Sequence, residues 1–386
     1  MIIFGILAVL LLAFVFFIIL SSRPLDKATA ITKINELVSS QVGKQTVTQA
    51  IVYIDSPRLS VSETFAYGKL NGSSIQVDQP FHVASVGKAF TATLIGILID
   101  ENKMTLTDRI CSYLSNEVLD GLFVYQGTDY QDEVTVGQLL NHTSGIADYF
   151  ADKTEGSPAI QELMINNPDT FWSPKQLVAF SQKFQTSVGS PGEKFHYSDT
   201  GYILLGMIIE HVSDLSFDTM LREKIFLPLH MNDSYLMFYS EPVNGLRPIA
   251  DVHLAGANVK DYQSVSIDWA GGGIISTAND LATFIRALNN FEIISQKTLN
   301  NLYHFDHQYR SGIHYGYGFM EYQFGEFFPT LKSLPQFIGH MGILGTQMFY
   351  SKGTDMVYIS SFGSDVFAAG SVRTFIKVLS ILNRIK

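Results

Sequence analysis

Cysteine is almost missing from this sequence: Cys111 stands alone among 386 residues. One thiol excludes an intrachain disulfide framework and any cysteine-based zinc site. Charge is scarce too. Charged residues are 16% of the chain and hydrophobic ones 46%, which excludes a disordered polymer. The formal net charge is -10 and no basic run occurs, so nucleic acid is not an expected partner. There is no internal repeat and no low-complexity segment. The length suffices for one large or two medium domains with substantial cores.

What is present begins with an apolar run. Ile2 to Leu20 holds 19 residues without a charge or a strongly polar side chain, enough to span a bilayer. It is longer than a usual signal-peptide core, and Ala28-Thr29-Ala30, shaped like a cleavage site, lies far from it. Residues 1–22 are therefore expected to be an uncleaved anchor that meets the lipid bilayer through residues 2–20. Arg23 and Lys27 follow the run, and these two charges alone favour a cytoplasmic position for the remainder.

Beyond the run, Ile31, Ile34, Leu37 and Val38 have helical spacing within Ala30 to Val42. Ala50 to Ile54 and Thr64 to Tyr67 read as strands. From about Glu101 helices dominate: Thr135 to Leu140, Pro174 to Phe184, Thr200 to His211 and Ser216 to Ile225. Strand patterns return after Trp269, in Tyr315 to Phe324, Gln336 to His340, Thr346 to Tyr350 and Met356 to Ser361. Val372 to Ile385 closes the chain with a one-sided apolar helix. The pattern predicts an α+β sheet built from both ends of the chain, covered by terminal helices and interrupted by a helical insert.

The chemistry centres on Ser85-Val86-Gly87-Lys88. Residues three apart at a helix start share a face. The apolar run Ala89 to Ile99 would bury that face, and burial lowers an amine's pKa. A partly neutral Lys88 could then take the proton of Ser85, which otherwise attacks poorly. A chain of this size holds on the order of one S-x-x-K by chance, so the pair needs partners. Tyr197, before a helix that Asp199 or Thr200 could cap, is a candidate proton relay. His340 and Gly342 stand on a predicted strand whose backbone could approach a substrate. Asn141-His142-Thr143-Ser144-Gly145 forms a polar turn, and Gly271-Gly272-Gly273 a bend without P-loop spacing, read as tight packing.

In this order the motifs resemble the serine β-lactamase and penicillin-binding protein family. The likeness is greatest to its class C-type branch of D-Ala-D-Ala carboxypeptidases, D-aminopeptidases and esterases, and covers nearly everything after Ala30. It implies a β-lactamase/transpeptidase-like fold in residues 29–386. The sheet subdomain would take about 29–84 and 265–386, the helical one about 85–264. It implies that Ser85 is acylated, Lys88 activates it and Tyr197 shuttles protons. His340 and Gly342 would line the pocket, and the N–H groups of Ser85 and Ile343 would form the oxyanion hole. No metal or organic cofactor is implied. Asp199 stands where the family usually has Asn, and would pair with Lys88. His340 replaces the frequent Lys, and would attract a substrate carboxylate weakly and with pH dependence.

Both departures favour a peptidase or esterase over a β-lactamase. The expectation is a membrane-anchored hydrolase acting on small D-amino-acid peptides or esters, such as peptidoglycan-derived ones. The family's usual place puts the catalytic part outside the cytoplasm, and this outweighs the two charges. A catalytically silent envelope-binding protein on the same fold is one alternative. A metal-dependent hydrolase using His304 and His307 is another, though an H-x-x-H spacing is by itself a weak signal.

Overall fold

The computed structural model describes residues 23–386. The expected anchor, residues 1–22, lies outside the described residues, and among those described no helix is long and apolar enough to cross a membrane. The first described helix, α1 (Lys27–Ser39), is capped by Asp26, whose side chain accepts from the Thr29 N–H. It buries Ala30, Ile34 and Val38, one stripe at four-residue spacing.

The main sheet has nine strands. Three come early: β1 (Gln49–Ser56), β2 (Val61–Leu70) and β3 (Ser73–Ser74). Six come late: β4 (His307–Arg310), β5 (Ile313–Tyr315), β6 (Met320–Tyr322), β7 (Phe337–Met341), β8 (Gln347–Ser351) and β9 (Met356–Ser361). Their order is β4-β5-β6-β7-β8-β9-β1-β2-β3, all antiparallel. The two ends of the chain join where Ile51 of β1 lies opposite Ser361 of β9.

Alternation along β1 gives the sheet two apolar faces. Ala50, Val52 and Ile54 join a core with α1 and the C-terminal helix α7 (Ala368–Leu382). Ile51, with Met348, Val357 and Ile359, joins a second core with the insert. Two insert helices matter for the site, α2 (Gly87–Asp100) and α5 (Asp199–Ser213); α6 (Ala278–Asn289) follows the insert and packs on the sheet. Between α2 and α5 come α3 (Val136–Leu140) and α4 (Pro174–Phe184). Every residue of α2 from Gly87 to Leu98 is buried, so this helix is the centre of the second core.

Two local features differ from the sequence reading. The strand expected over Tyr315 to Phe324 is two strands, β5 and β6. Between them Gly318 takes φ +79°, and a Cβ there would sit 2.4 Å from the Ala92 Cβ of α2. Aromatic content made the segment look continuous, but the turn is needed to close against α2. A small second sheet was also not anticipated: Phe81–His82 and Tyr235–Leu236 flank Ile274–Ser276. It places the residues before Ser85 beside the glycine-rich bend, with His82 opposite Ile275.

Phe375 anchors α7 to the sheet. It is fully buried and stacks on Tyr358 at 4.1 Å between centroids. Phe375→Ala is expected to lower the unfolding free energy by about 3–5 kcal/mol, read from urea denaturation.

Candidate active site

Ser85 sits in a tight turn, Ala84–Val86, that opens α2. The turn starts from Ala84 at φ +49°, a region that L side chains rarely adopt. Two glycines allow it. A Cβ on Gly272 would lie 2.7 Å from the Ala84 carbonyl, and one on Gly342 would lie 2.8 Å from the Ala84 Cβ and 3.2 Å from the Ser85 nitrogen. The glycine-rich bend and the end of β7 therefore press on the backbone that presents Ser85.

Lys88 lies one turn on and is fully buried. Its ammonium donates to Ser85 Oγ at 3.3 Å, to the Gly271 carbonyl at 2.8 Å and to the Asp199 carboxylate. The rings of Tyr197 and Tyr202 each lie 5.1 Å from it, near enough for cation–π attraction. Asp199 opens α5, where the helix dipole favours a carboxylate. The Asp199–Lys88 pair expected from the sequence is thus present.

Tyr197 precedes α5. Burial, and then the Asp199 charge, push its phenol well above the usual range, while the Ser85 hydroxyl pulls the other way. His142 supports it from below. Its Nδ1 accepts from the Ser198 N–H at 3.1 Å, and its ring lies 4.2 Å from that of Tyr197. The sequence reading noted His142 but gave it no such part.

His340 is not where the sequence reading put it. Its imidazole is fully buried on the insert face of β7, and it does not line the cavity. Nδ1–H donates to the Met341 carbonyl at 2.8 Å, so Nε2 accepts from the Tyr315 hydroxyl at 3.1 Å. Burial and the Lys88 charge push its pKa down to about 3. A neutral, enclosed imidazole offers no pH-dependent attraction to a substrate carboxylate. Side chains alternate along a strand, and position 340 falls on the inner side. Gly342 and Ile343, just beyond, do line the cavity. The N–H groups of Ser85 and Ile343 have no backbone acceptor among the described residues.

The cavity beside Ser85 has a volume of about 260 Å³. Tyr197 and Asp199 open onto it, with two acids that no motif indicated, Asp148 and Asp268. Their one sequence signal is an acid inside an apolar stretch: Ile146-Ala147-Asp148 and Ile267-Asp268-Trp269. Asp148 is 3% exposed and accepts from the N–H groups of Asp199 and Phe150 at 3.0 and 3.1 Å. His304 is largely exposed beside Asp306, and neither it nor His307 lines the cavity. Among the described residues no three potential ligand side chains converge as a metal centre.

The family model described as Beta-lactamase matches residues 34–366. The chain belongs to the β-lactamase family. It is an α+β, β-lactamase-fold member of a serine hydrolase family. "Penicillin-binding protein 4" of Amycolatopsis lactamdurans is 30% identical over 226 residues, 56% of this chain and 52% of that protein. The chain spans about half or less of the length of the curated relatives it matches. A D-stereospecific amidohydrolase from Streptomyces sp. superposes with a TM-score of 0.71 at 25% identity, covering 86% of this chain and 94% of that one. The D-amino acid amidase from Ochrobactrum anthropi SV3 superposes at 0.74 and 22% identity, over 92% of this chain and 99% of that one, a likeness of fold.

Asp148 gives this β-lactamase-family site a pH signature. Burial, then the Asp199 charge, raise its carboxyl from the ordinary 3.8 to about 8. The neutral form is favoured in the fold, so its contribution to stability is complete below the ordinary value and is lost as pH rises through the folded one. Asp148→Asn keeps an acceptor oxygen and carries no charge. The melting temperature of the variant relative to wild type is expected to rise from about pH 4 to about pH 8 in scanning calorimetry.

Proposed function

We propose that this chain is a serine hydrolase that carries acyl groups from small amides, peptides or esters to water through an ester on Ser85. The observation that carries the reading is the fully buried Lys88, donating at once to Ser85 Oγ and to the Asp199 carboxylate. The pair acts as one base. As Oγ attacks the carbonyl, Lys88 passes a proton to Asp199 within the pair, and the freed amine takes the Ser85 proton. Tyr197 gives its phenolic proton to the leaving nitrogen or oxygen and recovers one from Lys88. Water then attacks the ester by the same route in reverse, and Ser85 Oγ leaves with its proton. Developing charge on the carbonyl oxygen is met by the N–H groups of Ser85 and Ile343.

The acyl-transfer reading draws on a penicillin-binding relative and on amidohydrolase and amidase folds. It takes in amides and esters as well as carboxypeptidase substrates: His340 is neutral and enclosed, so the cation left to meet a terminal carboxylate is Arg310 of β4, which lines the cavity. Asp199 in place of an amide donor weighs against efficient β-lactam hydrolysis. The length and apolarity of residues 2–20 support an anchor, and the family's usual place supports a catalytic part outside the cytoplasm, where peptidoglycan-derived peptides are candidate substrates.

Fluorescent penicillin or a fluorophosphonate should label the wild type covalently, and Ser85→Ala should not be labelled. Hydrolysis of nitrophenyl acetate should fall by at least about 10³-fold in the same variant. Equal labelling of both proteins would reject Ser85 as the nucleophile. A folded wild type that neither labels nor turns over would favour the silent binding protein instead.

A further inference from the structure

Among the described residues, one acid in the cavity has no hydrogen-bond partner. Asp199 is held by Lys88, and Asp148 by two backbone N–H groups. Asp268 ends the short turn Gln263–Asp268, and its side chain, 28% exposed, opens into the cavity. Its carboxylate makes no hydrogen bond among the described residues. The nearest candidate is His82 Nε2 at 3.6 Å, beyond hydrogen-bond length.

His82 does not neutralise it. This histidine is 2% exposed, and its Nδ1 accepts from the Ala84 N–H at 3.1 Å. The proton of the neutral ring is therefore on Nε2, and that N–H is buried without an acceptor. Burial pushes the imidazole down to about 4, so it brings no positive charge. An unpaired carboxylate and an unpaired ring N–H thus face each other across a gap beside Ser85.

The backbone holds Asp268 in this position. Trp269 takes φ +23° and ψ -114°, outside the regions open to a bulky side chain. Such a conformation persists only where its surroundings fix it, and it gathers at functional sites. The Trp269 ring is 3% exposed and packs on Phe217 at 5.2 Å, and the Gly271 carbonyl two residues on is held by Lys88. Around Asp268 the cavity wall is apolar: Val252, Leu254, Val259, Val265 and Ile267.

An anion at the rim of an apolar well fits a cation on a short apolar body. We propose that Asp268 is a specificity residue that receives the free amine of the substrate's acyl half, while the apolar wall takes the side chain on the same carbon. The substrate class is then amides, esters or N-terminal peptide bonds of unblocked apolar α-amino acids. This rests on the Ser85 reading and narrows it. Burial and the Asp199 charge raise the Asp268 carboxyl to about 7, a penalty that an arriving ammonium relieves. The amine also reaches a site whose other acids are already occupied.

The test compares phenylalanine methyl ester, each enantiomer, with methyl 3-phenylpropionate, which lacks only the amine. Assays use the full chain at pH 7. The wild type should favour one amine-bearing enantiomer by at least about tenfold in kcat/KM. Asp268→Asn should bring that ratio close to one, mainly through KM, and Asp268→Glu should keep part of it. Because the ratio is taken within each variant, a general loss of activity does not imitate the effect. Equal kcat/KM for the two esters in the wild type would overturn the proposal, as would a preference that survives in Asp268→Asn. If nitrophenyl acetate is still hydrolysed in either case, the Ser85 reading stands. If no ester is hydrolysed by the wild type, both fall.

Discussion

The fully buried ammonium of Lys88 constrains everything near it. Removing such a charge from water costs several kcal/mol unless hydrogen bonds and an opposite charge replace the solvent. Here the replacements are the Asp199 carboxylate, the Gly271 carbonyl, Ser85 Oγ and two tyrosine faces. They come from four segments: the start of α2, the first turn of α5 with Asp199 and Tyr202, the loop before it and the glycine-rich bend. The insert closes around this ion pair. The geometry available for chemistry is in that sense a by-product of accommodating one charge.

The pair also sets the state of the groups around it. Its negative member adds to burial in raising Asp148 to about 8 and Asp268 to about 7. Its positive member adds to burial in lowering His142 and His340. One ion pair is therefore ringed by groups driven towards neutrality. A proton displaced from Ser85 has few competing acceptors, and an incoming cation has one unmatched acid to meet.

Much of this was legible in the sequence, for a physical reason. Ser85 and Lys88 are linked by helix geometry, and the apolar residues after them predict burial. Asp199, Tyr197 and the glycines are marked by their place before helices or in tight bends. The two-ended sheet follows from strand patterns at both ends of the chain. What escaped depends on contacts between distant segments. Asp148 and Asp268 look ordinary until the fold empties a cavity beside them. Gly318 looks like an interruption in a strand until Ala92 is seen against it. His340 was misjudged because a motif gives a position but not the face of the strand.

That last case bears on how the site divides its labour. The third motif contributes close backbone approach rather than the His340 side chain: Gly342 approaches Ala84, and Ile343 lines the cavity. The His340 imidazole instead faces inward, joining the Met341 carbonyl of β7 to Tyr315 of β5, whose hydroxyl lies 3.3 Å from that of Tyr202 on α5. Tyr202 in turn donates to the Leu140 carbonyl at the end of α3 and lies beside the Lys88 ammonium. The histidine thus ties the sheet to the helices that hold the ion pair. A lysine at 340 would put a second ammonium into the same enclosed space, where its charge would have to share Asp199 with Lys88. A neutral imidazole keeps the sheet-to-insert link without that competition.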